Sequence, residues 1–242
     1  MICKFCQNDR KLVKSHIIPK SLYKPLFSGG EVPEIITNKR DEHKRRSPKG
    51  VYDKTIVCSE CERKFDKYDN YASSFFLEEK YEKKEFSNVT GLQALQIDNF
   101  NYGLLKLFGL SLLWRASVST QPLFKRVSIG VHEKRVKEMI EQGDPGSEQE
   151  YSIILAKFDT TELSTVIMDP YQTRHMGVNF YRFYFNSYCM EIKVDKRRTP
   201  TPIDYVQISP NRPLFISSRK FAESKELKIM KTIISHNEQE RI

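Results

Sequence analysis

Residues 57–61 read VCSEC, and residues 3–6, near the start of the chain, read CKFC. Each stretch holds two cysteines separated by two residues, the spacing at which a chain turn presents a pair of thiolates to zinc. Together the two pairs can supply the four ligands of a tetrahedral site. The sequence therefore predicts a structural Zn²⁺ held by Cys3, Cys6, Cys58 and Cys61. The alternative is two unrelated cysteine pairs in a reducing compartment.

The predicted zinc would be structural because four thiolates leave no open position for a substrate or a water. Such a site stabilises small units that could not fold alone. The gap between the pairs is longer than in an ordinary zinc ribbon, which indicates an insert between them. The fifth cysteine, Cys189, stands alone in an aromatic segment and is interpreted as a small buried hydrophobic residue.

Composition indicates a soluble globular chain with an anionic partner. The 242 residues include 40 Lys and Arg against 31 Asp and Glu, a formal charge of +9. This excess favours nucleic acid first and an anionic membrane surface second, although solubility alone would also account for it. No secretion signal is visible, and the most apolar run, residues 104–114, is too short to span a bilayer. We expect a cytoplasmic protein without membrane attachment.

Two units are expected along the chain, with the boundary near residue 85. Residues 1–85 hold both cysteine pairs, a basic insert and a helix over residues 60–85, in which aromatic residues recur at helical spacing. Residues 86–242 hold helices over residues 98–119, 131–143 and 218–236. Strands are expected at residues 151–158, 164–169, 178–188 and 190–194. This order predicts an α+β fold for the second unit.

The arrangement of a cysteine pair, "SHIIPK" at residues 15–20, and "VCSECERKFDKYD" at residues 57–69 resembles the HNH, or ββα-metal, endonuclease superfamily. The resemblance covers residues 1–70 only. It implies a zinc-stabilised treble-clef variant of the ββα-metal fold and a divalent-metal-dependent endonuclease. The resemblance also implies a biological role as an effector of prokaryotic defence against phage.

The resemblance assigns roles to individual positions. His16 stands where the family has its general base, and Asp53 where it usually has the asparagine that orients that base. Glu62 stands where many members have a metal-binding histidine, and Ser15 where an aspartate often helps to hold the metal. Asp69 matches an acid found in some variants. The resemblance therefore implies that Glu62 and Asp69 are ligands of a catalytic Mg²⁺ or Mn²⁺.

Elementary chemistry agrees with these roles. Phosphodiester hydrolysis needs an activated water and a cation for the developing charge, and a neutral imidazole can accept the water's proton. Glu62, Asp66 and Asp69 share one helix face, and carboxylates suit Mg²⁺ or Mn²⁺. The alternatives are acids on a solvated face near a helix N-terminus, and a His16 ring that bonds a backbone carbonyl beside the zinc turn.

A dense basic stretch lies between the two cysteine pairs. Its side chains can neutralise phosphates without reading sequence, which predicts a nucleic-acid contact, whereas the alternative is a solvated loop. The predicted contact residues are Lys39, Arg40, Lys44, Arg45, Arg46 and Lys49.

Two functions from different classes follow. The first is an HNH-type endonuclease that cuts nucleic acid, DNA ahead of RNA. The second is a catalytically inactive zinc module that binds nucleic acid or a protein partner, an alternative motivated by the replacements at Ser15, Asp53 and Glu62. A protein partner could also use the second unit. Neither the oligomeric state nor the role of residues 86–242 follows from the sequence.

Overall fold

A computed structural model of the chain describes residues 1–27, 34–36, 45–46, 50–87, 91, 93–160 and 166–239. Within these residues the fold is mixed α+β, as expected, with four α-helices and a seven-stranded sheet. The helices are α1 Ser59–Ser73, α2 Tyr102–Val118, α3 Glu133–Gln142 and α4 Lys225–Gln239. The first strands are β1 Ser15–His16, β2 Glu34–Ile36, β3 Arg45–Arg46, β4 Tyr52–Asp53, β5 Lys83–Ser87 and β6 Gln93–Ile97. The later strands are β7 Ile153–Phe158, β8 Val166–Met168, β9 Tyr171–His175, β10 Val178–Phe185, β11 Tyr188–Lys193 and β12 Leu214–Arg219.

The large sheet has the order β5-β6-β12-β7-β11-β10-β9 and is antiparallel except for the parallel pair β12–β7. Strands β1 and β4 form a separate antiparallel pair that places Ser15 opposite Asp53 and His16 opposite Tyr52. A third small sheet has the order β3-β2-β8, so the insert between the cysteine pairs hydrogen-bonds to a strand of the second half.

Helix α1 forms where its apolar spacing predicts it. Phe65, Tyr68, Ala72 and Phe76 are all buried, and they turn one face of the helix toward α2. The ring of Trp114 on α2 lies 5.1 Å from that of Phe5, edge to face, so α2 also covers the turn that carries the first cysteines.

The predicted extent of α1 is wrong at its C-terminal end. After Ser73 the helix widens into a π-helical segment over Ser74–Glu78, and Glu79 follows with a φ of 45°. A left-handed residue cannot continue a right-handed helix, so the chain turns, and residues 83–85 form part of β5. The polar composition of this edge strand carries no period-two signal. The proposed boundary at residue 85 therefore falls inside a strand.

The central predictions for the second half are confirmed. Helix α2 contains the apolar run and is buried on nearly every side, and α3 ends at Gly143, whose φ of 68° forms a left-handed cap. The strand expected at 151–158 is present as β7. The strand expected at 178–188 is present as β10 only as far as Phe185, because the chain turns at Asn186, with a φ of 54°, and Tyr188 already belongs to β11. The helix expected over 218–236 begins only at Lys225, because β12 extends to Arg219, and sequence patterns missed β6, β9 and β12.

One hydrophobic cluster is continuous across the two expected units, from Cys3 and Phe65 to Trp114 and Ile216. Helix α2 lies at its centre, between α1 on one side and the large sheet on the other. No described helix combines the length and the apolar character needed to cross a membrane.

Candidate functional site: the thiol cluster and the His16 strand

Four cysteine sulfurs converge at the start of α1. The Sγ atoms of Cys3, Cys6, Cys58 and Cys61 all lie within 4.8 Å of one another, and three of the four residues are buried. The Cys6 and Cys58 sulfurs are 4.0 Å apart. Tetrahedral zinc with bonds of about 2.3 Å separates its sulfurs by about 3.8 Å. The four cysteines are thus positioned to hold one metal ion, and their spacing is compatible with structural zinc.

The backbone around the cluster favours a metal-bound thiolate. The Cys58 N–H donates to Cys3 Sγ over 3.3 Å, and Gln7 takes a left-handed φ of 62° to close the first turn. Burial raises the pKa of the Cys3 thiol, but backbone N–H groups outweigh it and lower the pKa to about 7. Burial and the neighbouring thiols raise the pKa of Cys61 instead. Four adjacent thiolates require a cation between them.

His16 lies on β1 and is half-buried. Its ring centroid is 5.7 Å from that of Tyr52 on the paired strand, and the ammonium of Lys14 lies 3.8 Å from the same tyrosine centroid. The pairing of β1 with β4, together with Arg115 on α2, fixes the backbone at His16.

Glu62, in the first turn of α1, lies next to Ser15. Burial raises the pKa of Glu62, whereas the Ser15 hydroxyl and the Arg115 guanidinium lower it. Ser15 is fully buried, yet its Oγ and Glu62 Oε2 make no hydrogen bond to any described residue. The contact between them is therefore close enough to affect the pKa without having hydrogen-bond geometry. A water or an ion held between these two oxygens is one way to satisfy them.

Asp53 is buried, and both of its carboxylate oxygens accept hydrogen bonds. Its Oδ1 accepts from the backbone N–H and the hydroxyl of Thr55, and its Oδ2 accepts from Ser119 Oγ and from the N–H and hydroxyl of Thr120. Burial raises the pKa of this carboxyl, but these bonds outweigh burial and lower the pKa to about 2. In the strand register Asp53 faces Ser15, so its predicted role in orienting His16 stays a prediction.

Asp69 lies two turns after Glu62 and is paired with Arg115. Both of its oxygens accept hydrogen bonds from the guanidinium, at 2.9 and 2.7 Å. Burial raises the pKa of Asp69, and the guanidinium acts in the opposite direction. Its role as a ligand of Mg²⁺ or Mn²⁺ stays a prediction, since that ion would compete with an arginine for the same oxygens. Asp66, between the two acids, is exposed.

A cleft of about 390 Å³ opens beside β4. It is lined by residues of the β4 segment and by the chain just after α2: Gly50, Val51, Tyr52, Asp53, Lys54, Thr55, Thr120 and Gln121. The cleft thus adjoins the strand that pairs with His16 and has walls from both halves of the chain.

The predicted nucleic-acid contacts fall largely outside the described residues. Lys39, Arg40, Lys44 and Lys49 are not among them, whereas the backbone of Arg45 and Arg46 forms β3. This strand pairs with β2, which in turn pairs with β8, so the basic insert is attached to the second half of the chain.

Sequence patterns did not identify the importance of Arg115 at the site. It follows Trp114 in an apolar helix, and its only signal was a charge in the last turn of a buried segment. The structure shows that it contacts β1 and α1 at once.

Models of known protein families, curated proteins and solved structures were all compared with the chain, and none of them matches it.

Proposed function

We propose that the chain is a divalent-metal-dependent endonuclease that hydrolyses phosphodiester bonds in nucleic acid, with DNA ahead of RNA. The observation that carries this proposal is the pair of buried, unsatisfied oxygens on Ser15 and Glu62, at the strand that also carries His16. These are the positions at which the HNH resemblance expects metal ligands. We further propose that the thiol cluster holds zinc and that β1, β4 and α1 form a treble-clef ββα-metal unit.

Each residue would have a distinct role. His16 would accept the proton of the attacking water, and Glu62 would hold Mg²⁺ or Mn²⁺ with the Ser15 hydroxyl beside it. The ion, when bound, would stabilise the charge that develops on the phosphate. Oxygen donors fit this ion, and the orphaned oxygens provide them. Asp53 would hold the strand opposite Ser15 in place through its bonds to Thr55 and Thr120.

Excess positive charge supports nucleic acid as the substrate. The chain carries a formal +9, and twelve basic residues stand against five acidic ones in residues 1–50. Neutralising phosphates releases counterions and gives affinity independent of sequence. A setting in phage defence and a cytoplasmic location remain expectations.

The direct test is cleavage of plasmid DNA and of structured RNA with Mg²⁺ or Mn²⁺, comparing the wild type with His16→Ala. Loss of a general base should lower the rate by about 10²–10⁴-fold. His132→Ala is a matched control, because His132 contacts Tyr151 in the second half of the chain. Equal rates for the wild type and His16→Ala would remove His16 as the base.

A second candidate is a catalytically inactive zinc module that binds nucleic acid or a protein partner. The observation that favours it is that the oxygens of both Asp53 and Asp69 already accept hydrogen bonds from protein donors. Nucleic-acid binding that weakens steeply with salt, without cleavage under any divalent metal, would support this candidate over the enzyme. If the protein neither binds nor cleaves nucleic acid, the remaining function is binding of a protein partner, for which residues 86–242 are available.

A further inference from the structure

Arg115 occupies an unusual position at the end of α2. Its side chain has no exposed surface, although it carries a permanent charge. All five N–H groups have acceptors: Nε donates to Ser111 O, Nη1 to His16 O and Asp69 Oδ2, and Nη2 to Asp69 Oδ1 and Ser111 Oγ. The guanidinium carbon lies 4.9 Å from the centroid of Phe65. The fold has thus built a complete pocket for one arginine.

The bond to His16 matters because β1 is short. The strand has two residues, and the backbone bond that follows it, from Ile17 N–H to Val51 O, is long at 3.3 Å. Arg115 Nη1 donates to the His16 carbonyl over 2.8 Å and so adds a stronger, charge-assisted restraint.

The bonds to Asp69 fix the other side of the site. Asp69 shares a helix face with Glu62, seven residues earlier on α1. One rigid guanidinium therefore sets the spacing between the backbone that carries His16 and the helix that carries Glu62. A flexible ammonium could not hold all of these acceptors in one plane.

The chain that follows α2 holds the strand opposite His16. Ser119 and Thr120 both donate to Asp53 Oδ2 on β4, with the Thr120 N–H at 2.6 Å. The C-terminal end of α2 thus contacts β1, β4 and α1, the three elements of the candidate site.

We infer that Arg115 is a positioning residue that sets His16 relative to α1, and that α2 is therefore an integral part of the site. This inference rests on the proposed endonuclease function. It gives the second half of the chain a defined task, because residues 1–85 alone lack the arginine that joins β1 to α1.

The test compares variants that separate position from stability. Arg115→Met combined with Asp69→Leu removes both charges of the buried pair, and such replacements can leave stability nearly unchanged. Asp69→Asn keeps Arg115 and its bond to His16. Arg135→Met is the control, since Arg135 makes an equivalent bidentate pair with Glu150 on the surface of α3.

Three measurements are made on each variant of the full chain: the melting temperature, the rate of plasmid cleavage, and the NMR signals of the His16 ring before and after addition of Mn²⁺ alone. We expect a folded double variant with a displaced His16 signal and cleavage lower by about 100-fold. Asp69→Asn should keep the wild-type His16 signal, and Arg135→Met should keep both signal and rate.

A folded double variant with the wild-type His16 signal and rate would overturn the inference. If the double variant does not fold, the same measurements are made on Arg115→Lys. Lysine keeps the positive charge but lacks the planar set of donors of the guanidinium. A displaced His16 signal in that variant supports positioning, and an unchanged signal overturns it. An inactive wild type would instead refute the proposed function, and the His16 signal would still report whether Arg115 positions the ring.

Discussion

Ser15 and Glu62 lie next to each other where β1 meets the first turn of α1, and each has a buried oxygen that no described residue satisfies. The HNH resemblance proposed from the N-terminal motifs implies a metal ligand at each of these two positions. Neither residue here is the usual one, yet the fold brings the two together. A hydroxyl and a carboxylate can serve a hard cation, although with less charge than an aspartate would add.

Replacing Ser15 with aspartate should make stability depend on a divalent metal. Without metal, Ser15→Asp places a second carboxylate beside Glu62 in a buried position, which should cost about 1–3 kcal/mol of unfolding free energy. Mn²⁺ should recover that loss by binding the folded state. Thermal unfolding of the zinc-loaded variant and wild type, without added divalent metal and with Mn²⁺, measures both effects. Equal destabilisation in the two solutions would contradict a metal site here.

Glu62→Gln should weaken the binding of Mn²⁺ by at least about 10-fold, because a neutral amide replaces the charged ligand. Titration calorimetry of the zinc-loaded protein measures this affinity. Glu60→Gln is the matched control in the same helical turn, since Glu60 is exposed and pairs with Arg10. If both variants bind Mn²⁺ as the wild type does, Glu62 is not a ligand.

The thiol cluster predicts about one zinc per chain, and its removal should unfold the N-terminal segment. Cys61→Ser should lose the metal and lower the melting temperature, because this residue helps to join residues 3–6 to α1. Cys189→Ala, which changes a buried cysteine in the large sheet, should keep the zinc. Metal analysis with thermal unfolding checks both, and a metal-free wild type with an unchanged melting temperature would refute the site.

Asp53 should contribute pH-dependent stability. Burial raises its pKa, but the hydrogen bonds from Thr55 and Thr120 outweigh burial and lower the pKa from 3.8 to about 2, so the folded state favours the ionised form. The contribution, about 2 kcal/mol, is fully present above pH 4 and is lost as the pH falls through 2. Asp53→Asn should therefore be less stable than the wild type at pH 7, with a difference that shrinks in acid.

Urea unfolding at pH 7 and near pH 2.5 measures that difference. Asp66→Asn, at an exposed position on α1, serves as the control and should change little at either pH. A constant gap between the wild type and Asp53→Asn at the two values would show that ionisation of Asp53 is not involved.

Close packing of α2 against the large sheet predicts a contrast between two glycines of the same helix. A Cβ at Gly109 would lie 2.4 Å from Ile153 Cδ1, so Gly109→Ala should lose about 1–3 kcal/mol by overpacking. At Gly103 the nearest atom is 3.5 Å away, and Gly103→Ala should be neutral or stabilise by up to about 1 kcal/mol. Chemical denaturation measures both, and equal effects would contradict the α2–β7 contact.

The sequence by itself determined the features that depend on neighbouring residues. Cysteine spacing predicted the thiol cluster, helical periodicity predicted the buried face of α1, an apolar run predicted the buried helix α2, and Gly143 marked the end of α3. Each of these signals lies within one or two turns of chain, where covalent geometry and local burial decide the conformation.

Only the tertiary structure decided how distant segments meet. The pairing of β12 with β7, the attachment of β2 to β8, and the contact of Arg115 with His16 and Asp69 all join residues far apart in the chain. No local pattern predicts such contacts. An arginine in an apolar helix gives the same sequence signal whether its side chain faces solvent or a buried carboxylate. The folded core excludes water from the Arg115 side chain, and its bonds to His16 and Asp69 make this charge a fixed part of the candidate site.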